Sequence, residues 1–85
     1  MTPSLAPDVS VTETEDGMVL LHERTGRYWM LNATGATVVR HLREGASVQD
    51  AIESLCARFP RERQRVEADV RRLLEQLSKA RLVTP

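Results

Sequence analysis

With a single cysteine, Cys56, this 85-residue chain cannot close an internal disulfide, which fits a reducing compartment. Its apolar runs are short, and none approaches the roughly 20 residues needed to cross a bilayer. The N-terminal "MTPSLAPD" has neither the basic start nor the apolar stretch of a secretory signal. These absences point to a cytoplasmic protein with no membrane partner. Net charge is missing too, with twelve Lys/Arg against twelve Asp/Glu. A dedicated nucleic-acid binder needs an excess of positive charge to meet phosphates, so that class is disfavoured. Glycine is scarce, and the four copies punctuate turns and helix ends instead of forming a phosphate-cradling loop.

Catalytic groupings are equally thin. His22 and His41 have no partner at metal-ligand spacing. Cys56 lies between Leu55 and Phe59 on an apolar helical stripe, where a thiol acts as a small hydrophobe. Glu15 and Asp16 fall in an exposed turn with no pocket to shift their pKa values. No catalytic residue, metal site or cofactor is expected, and the protein is read as a non-enzyme.

What is present is a pattern of short strands followed by helices. After a tail over residues 1–8, expected to be flexible, Val9 and Val11 alternate with Ser10 and Thr12 as a strand with one buried face. A turn at "TEDG" follows, with Gly17 free to take positive φ, then a second strand "MVLLHE". "RTGR" turns the chain again into a third strand at "YWML". Helical spacing begins beyond Asn32, where Asn32 or Thr34 can serve as N-cap, and Gly45 is the expected C′ residue. "SVQD" opens a second helix as a capping-box variant, with Val48, Ile52, Leu55, Cys56 and Phe59 on one face and Pro60 at its end. A third helix is expected from about Arg61 to Ala80, striped by Val66, Val70, Leu73, Leu74 and Leu77. Strands then helices make one α+β domain over residues 9–83 in the order βββααα.

The balanced charge hides an asymmetry. Residues 1–23 hold five acids and no Lys or Arg, whereas residues 61–81 hold seven Lys/Arg against four acids. The basic residues of the third helix stand three or four positions from Glu62, Glu67, Asp69 and Glu75, as on a solvated, ion-paired face. The third strand is harder to explain. Tyr28 and Trp29, the only Tyr and Trp, are followed by Met30 and Leu31, so both strand faces carry large apolar groups. Either both faces pack in a tight core, or the last strand of the meander is an edge left open. Between Tyr28 and Leu31 no charge, proline or glycine blunts such an edge, which suits a docking extended peptide.

"LNATGATVVRHLREGASVQDAIESLCARF" and, further on, "VEADVRRLLEQLSKARLV" resemble the PqqD-like family, also called RiPP recognition elements after ribosomally made, post-translationally modified peptides. The residues that carry the resemblance are Leu31-Asn32, Gly35, Leu42, Gly45, Val48, Ile52, Leu55, Asp69-Val70, Leu74, Leu77 and Leu82-Val83. One departure is Ala80-Arg81, where the family usually has Gly before the final Leu-Val, and it bears on the last turn. The resemblance implies a winged-helix-like fold and a peptide-binding role. A precursor's leader segment would add as a strand to Arg27, Tyr28, Trp29, Met30 and Leu31. The groove wall would come from Val66, Asp69, Val70, Leu73 and Leu77 of the third helix. Which of Tyr28 and Trp29 meets the peptide stays open, since Trp29 shares a face with Leu31 and Tyr28 with Met30.

A free-standing chain this short is similar to those of lasso-peptide pathways. The implied partners there are the leader, a separate cysteine-protease-like leader peptidase and an ATP-dependent macrocyclase. The alternatives are a PqqD-type chaperone for a radical maturation enzyme, a winged-helix DNA-binding regulator, or a homodimer joined through its edge strands. The positive excess of residues 61–81 would suit an acidic stretch in the ligand.

Overall fold

The computed structural model describes residues 3–84. Two alternating segments and a mixed apolar one form the sheet: β2 (Val9–Glu13), β3 (Gly17–His22) and β4 (Tyr28–Asn32), following a two-residue β1 (Ser4–Leu5). Helices α1 (Ala33–Arg43), α2 (Val48–Arg58) and α3 (Arg63–Lys79) come next, with a 3₁₀ turn at Pro60–Glu62 ahead of α3, and β5 (Val83–Thr84) closes the chain. The α+β order is as expected. The sheet is antiparallel in the order β2-β3-β4, which leaves β4 at an edge.

Residue parity decides the two faces. Val11, Leu20 and Trp29 share one cross-strand row, and Glu13, Met18 and Leu31 another. Met18 and Leu20 are fully buried under the helices, so these rows face inward. The intervening rows, Thr12–Val19–Met30 and Ser10–Leu21–Tyr28, face outward. Nothing in the described residues covers that outer face: Tyr28 is 65% and Met30 77% exposed.

Local signals at the helix ends hold. Asn32, not Thr34, caps α1, its Oδ1 accepting from the Gly35 N–H at 2.9 Å. Gly45 ends α1 with φ +80° as C′ residue. Ser47 and Asp50 form a reciprocal capping box, each side chain accepting at 3.0 Å from the other's backbone N–H. These hydrogen bonds hold the Asp50 carboxyl below its ordinary pKa. A lowered carboxylate pKa stabilises the fold above the unfolded pKa, and the contribution is lost as pH falls through the folded one. Ser47→Ala should cost about 1 kcal/mol in thermal or urea unfolding at neutral pH. Asp50→Ala should also destabilise the fold, and its deficit should shrink in acid, where the wild-type Asp50 protonates and loses the bond from the Ser47 N–H. An Asp50→Ala deficit that is constant down to pH 2 contradicts the capping account.

Four details differ from expectation. Gly17 does not take positive φ; a Cβ there would run into the Leu31 carbonyl of β4, so close backbone approach is what demands glycine. The α-helical part of the third helix starts at Arg63, because Pro60 sets up a 3₁₀ turn first. Phe59 is the C-cap of α2 and 38% exposed, so it leaves the apolar stripe. The segment expected as a tail over residues 1–8 contributes β1, whose Ser4 and Leu5 pair with Thr84 and Val83. Leu5 gains cover there against the core, which favours pairing over a free tail.

Beyond α3, Arg81 takes φ +62°, a left-handed conformation that favours glycine. Its N–H donates to the Ser78 carbonyl at 3.0 Å and the Leu82 N–H to the Leu77 carbonyl at 2.9 Å, a Schellman cap with arginine at C′. A left-handed non-glycine residue costs roughly 1–2 kcal/mol. The cap tolerates it because Leu82 and Val83 are buried behind it.

Candidate functional site

β4 turns its polar backbone two ways. At the β3–β4 turn the His22 N–H donates to the Arg27 carbonyl at 2.8 Å, which makes His22–Arg27 a hydrogen-bonded pair. Hydrogen-bonded and non-bonded pairs alternate along an antiparallel ladder. The Leu20–Trp29 and Met18–Leu31 pairs are therefore bonded, and Tyr28 and Met30, opposite Leu21 and Val19, are not. Trp29 and Leu31 spend their N–H and C=O groups on β3. Tyr28 and Met30 point theirs outward, to the open edge.

Beside that edge runs a groove of about 540 Å³ between β4 and α3. Trp29, Met30 and Leu31 line one side of it, and Val66, Asp69, Val70, Leu73 and Leu77 line the other. The spacing 66, 69/70, 73, 77 places these α3 residues on one helical face. Val66, Val70 and Leu77 are buried and form its floor, while Leu73 is half-buried and packs against the core of Met18, Leu20 and Leu77 on one side and that of Ile52, Leu55 and Val70 on the other. Asp69 is exposed on the rim and lies near Arg65 and Arg72, at 3.8 and 3.7 Å. Glu62 pairs with Arg65 at 3.5 Å, so the rim is charge-balanced.

Eight of the ten residues singled out from sequence thus meet at one groove. Tyr28 is the first exception, contributing backbone edge groups while its ring faces outward. Arg27, the second, lies outside the groove and lines a neighbouring cleft. Of the two aromatics, Trp29 faces the groove and Tyr28 the outer side of the sheet. Sequence reasoning did not single out several other lining residues, among them Gly35, Phe59, Arg65, Arg72 and Gln76. The last three continue the stripe of Asp69 at helical spacing, a signal that was there to follow. Phe59 gave none, because its stripe pointed to the core.

Residues 17–83 match the family model described as coenzyme PQQ synthesis protein D (PqqD). The chain belongs to the PqqD family. No curated protein sequence matches it. Among solved structures, this PqqD-family chain is similar to a lasso peptide synthetase B1 complexed with the leader peptide, with TM-score 0.88 and 36% identity over 100% of both chains. It is also similar to TbiB1 in complex with the TbiA(beta) leader peptide, with TM-score 0.86 and 31% identity over 94% of this chain and 93% of that one. Within this PqqD-family fold, no helix of the described residues is long and apolar enough to cross a membrane.

Proposed function

We propose that this chain is a non-catalytic recognition protein for the leader segment of a precursor peptide in lasso-peptide (RiPP) biosynthesis. The leader adds as a strand to β4, and its alternate side chains enter the groove against α3. One observation carries this reading: Tyr28 and Met30 hold an unspent row of backbone donors and acceptors directly beside an apolar groove. The likeness to two chains solved with leader peptides supports it. On the same reading the protein is winged-helix-like, with the β3–β4 hairpin as the wing, and works in the cytoplasm, where Cys56 stays reduced. It hands the bound precursor to a separate cysteine-protease-like leader peptidase and an ATP-dependent macrocyclase.

The test is calorimetric titration with leader peptides of lasso-peptide precursors, against a scrambled leader and a short DNA duplex, at two salt concentrations. Saturable binding of the leader alone is the expected result. Binding that is confined to the duplex and collapses with salt would instead make the protein a DNA-binding regulator.

A further inference from the structure

Two basic residues at the C-terminal end of α3, Lys79 and Arg81, meet two arginines of the β3–β4 turn at one place. A second cleft of about 390 Å³ opens beside the β3–β4 turn, next to the C-terminal end of α3, and Arg24, Arg27, Lys79 and Arg81 line it with His22 and Asp8. Arg24 pairs with Asp8 at 3.5 Å and Lys79 with Glu75 at 3.1 Å. Arg27 and Arg81 have no carboxylate partner among the described residues. The Arg27 guanidinium stacks over the Trp29 ring, 5.0 Å from its centroid, which fixes the plane and leaves the N–H edges free. His22 is only 9% exposed, and its Nδ1 has no hydrogen-bond partner. Two guanidinium groups without carboxylate partners on the wall of one cleft present convergent donors for an anion. The left-handed backbone at Arg81 brings a cation to this wall where glycine would bring none.

The cleft lies in line with the groove-facing row of β4. Val9 and His22 are paired, and Arg27 continues that row on the inner face of the sheet, as Trp29 and Leu31 end the next two. A strand laid on β4 alternates its side chains, so every second residue meets this series: Leu31, Trp29, Arg27. We propose that the cleft is a carboxylate-binding site for an acidic side chain of the added strand. That side chain lies two residues from the apolar residue opposite Trp29, on the side of the β3–β4 turn. The site rests on the strand-addition reading for the molecule that carries the carboxylate, not for the chemistry of the cleft. It makes recognition bipartite: apolar residues set the fit in the groove, and the acid sets the register along it.

Two measurements test this on the full chain. In the first, ¹⁵N-labelled protein is titrated with glutarate and, separately, with inorganic phosphate. Side-chain signals of Arg27, Arg81 and His22 should shift saturably with glutarate, and the His22 shift should vanish in the double variant Arg27→Gln/Arg81→Gly. Glycine suits φ +62°, so Arg81→Gly removes the cation and also relieves the backbone, keeping the variant folded. No saturable shift, or an equal one in the double variant, overturns the site. Tighter binding of phosphate than of glutarate also overturns it, in favour of a phosphate ligand.

In the second measurement, displayed ten-residue random peptides are selected on the wild type and the double variant. Wild type should enrich Asp or Glu two residues from an apolar anchor, and the double variant should lose that enrichment and bind the acidic peptides about tenfold more weakly. Selected peptides that need Met30 unsubstituted yet show no acid preference refute the carboxylate site and leave strand addition standing. If every selected peptide tolerates Met30→Pro, strand addition fails, and with it the assignment of the carboxylate to an added strand.

Discussion

Met30→Pro should raise the dissociation constant for the leader roughly 10- to 100-fold while the protein stays folded. The Met30 N–H points away from β3, so proline removes no hydrogen bond of the β3–β4 ladder. What it removes is a donor at the open edge, and its ring fills the space where the leader's carbonyl would sit. A leader carbonyl left unpaired in the interface costs about 1–3 kcal/mol, which gives the stated range. The Met30 side chain is 77% exposed, so losing it costs little packing. Trp29→Pro is the structural counterpart: its N–H belongs to the ladder with Leu20, and its ring covers the core. That change should cost about 3 kcal/mol or more and be visible by circular dichroism as a large loss of stability. A Met30→Pro protein of native thermal stability that binds the leader within twofold of wild type would falsify strand addition.

The contrast between positions 29 and 30 also shows where sequence reasoning stops. Parity alone put Trp29 with Leu31 and Tyr28 with Met30. Because both faces of "YWML" are apolar, it could not say which face was inside. The register with β3 decides, since Met18 and Leu20 bring one face under the helices. Short-range signals were readable: the Ser47–Asp50 box, the Asn32 cap and Gly45 act within four residues, and the structure keeps all three. The β1–β5 pairing was not, because two-residue strands have no periodicity and their partners lie 80 positions apart in sequence. The basic cleft escaped for the same reason. It draws on residues 8, 22–27 and 79–81, which only the folded chain brings together.

Gly17→Ala should be the most destabilising single methyl that can be added near the site. A Cβ at Gly17 would overlap the Leu31 carbonyl oxygen and lie 2.9 Å from the Leu31 carbonyl carbon and 3.0 Å from that of Asn32. All three are backbone atoms, so no side chain can swing aside; β4 itself must move. Overpacking of this kind costs roughly 1–3 kcal/mol, and an unyielding backbone puts Gly17 at the upper end or beyond. For a domain of this size that lowers Tm by about 10–20 °C in a thermal melt. Displacement of β4 also reaches function, because Leu31 ends the groove-facing row and Asn32 caps α1 through Gly35. Leader affinity should therefore fall with stability, and the two losses should share a cause. Gly26→Ala separates this from a generic glycine effect: Gly26 has φ +73° with open space around it, so the cost there is conformational, about 1 kcal/mol, and should leave the edge in place. Equal Tm losses at the two glycines would mean that β4 yields easily at Leu31, and that the groove is softer than a strand held at Gly17 by backbone contact.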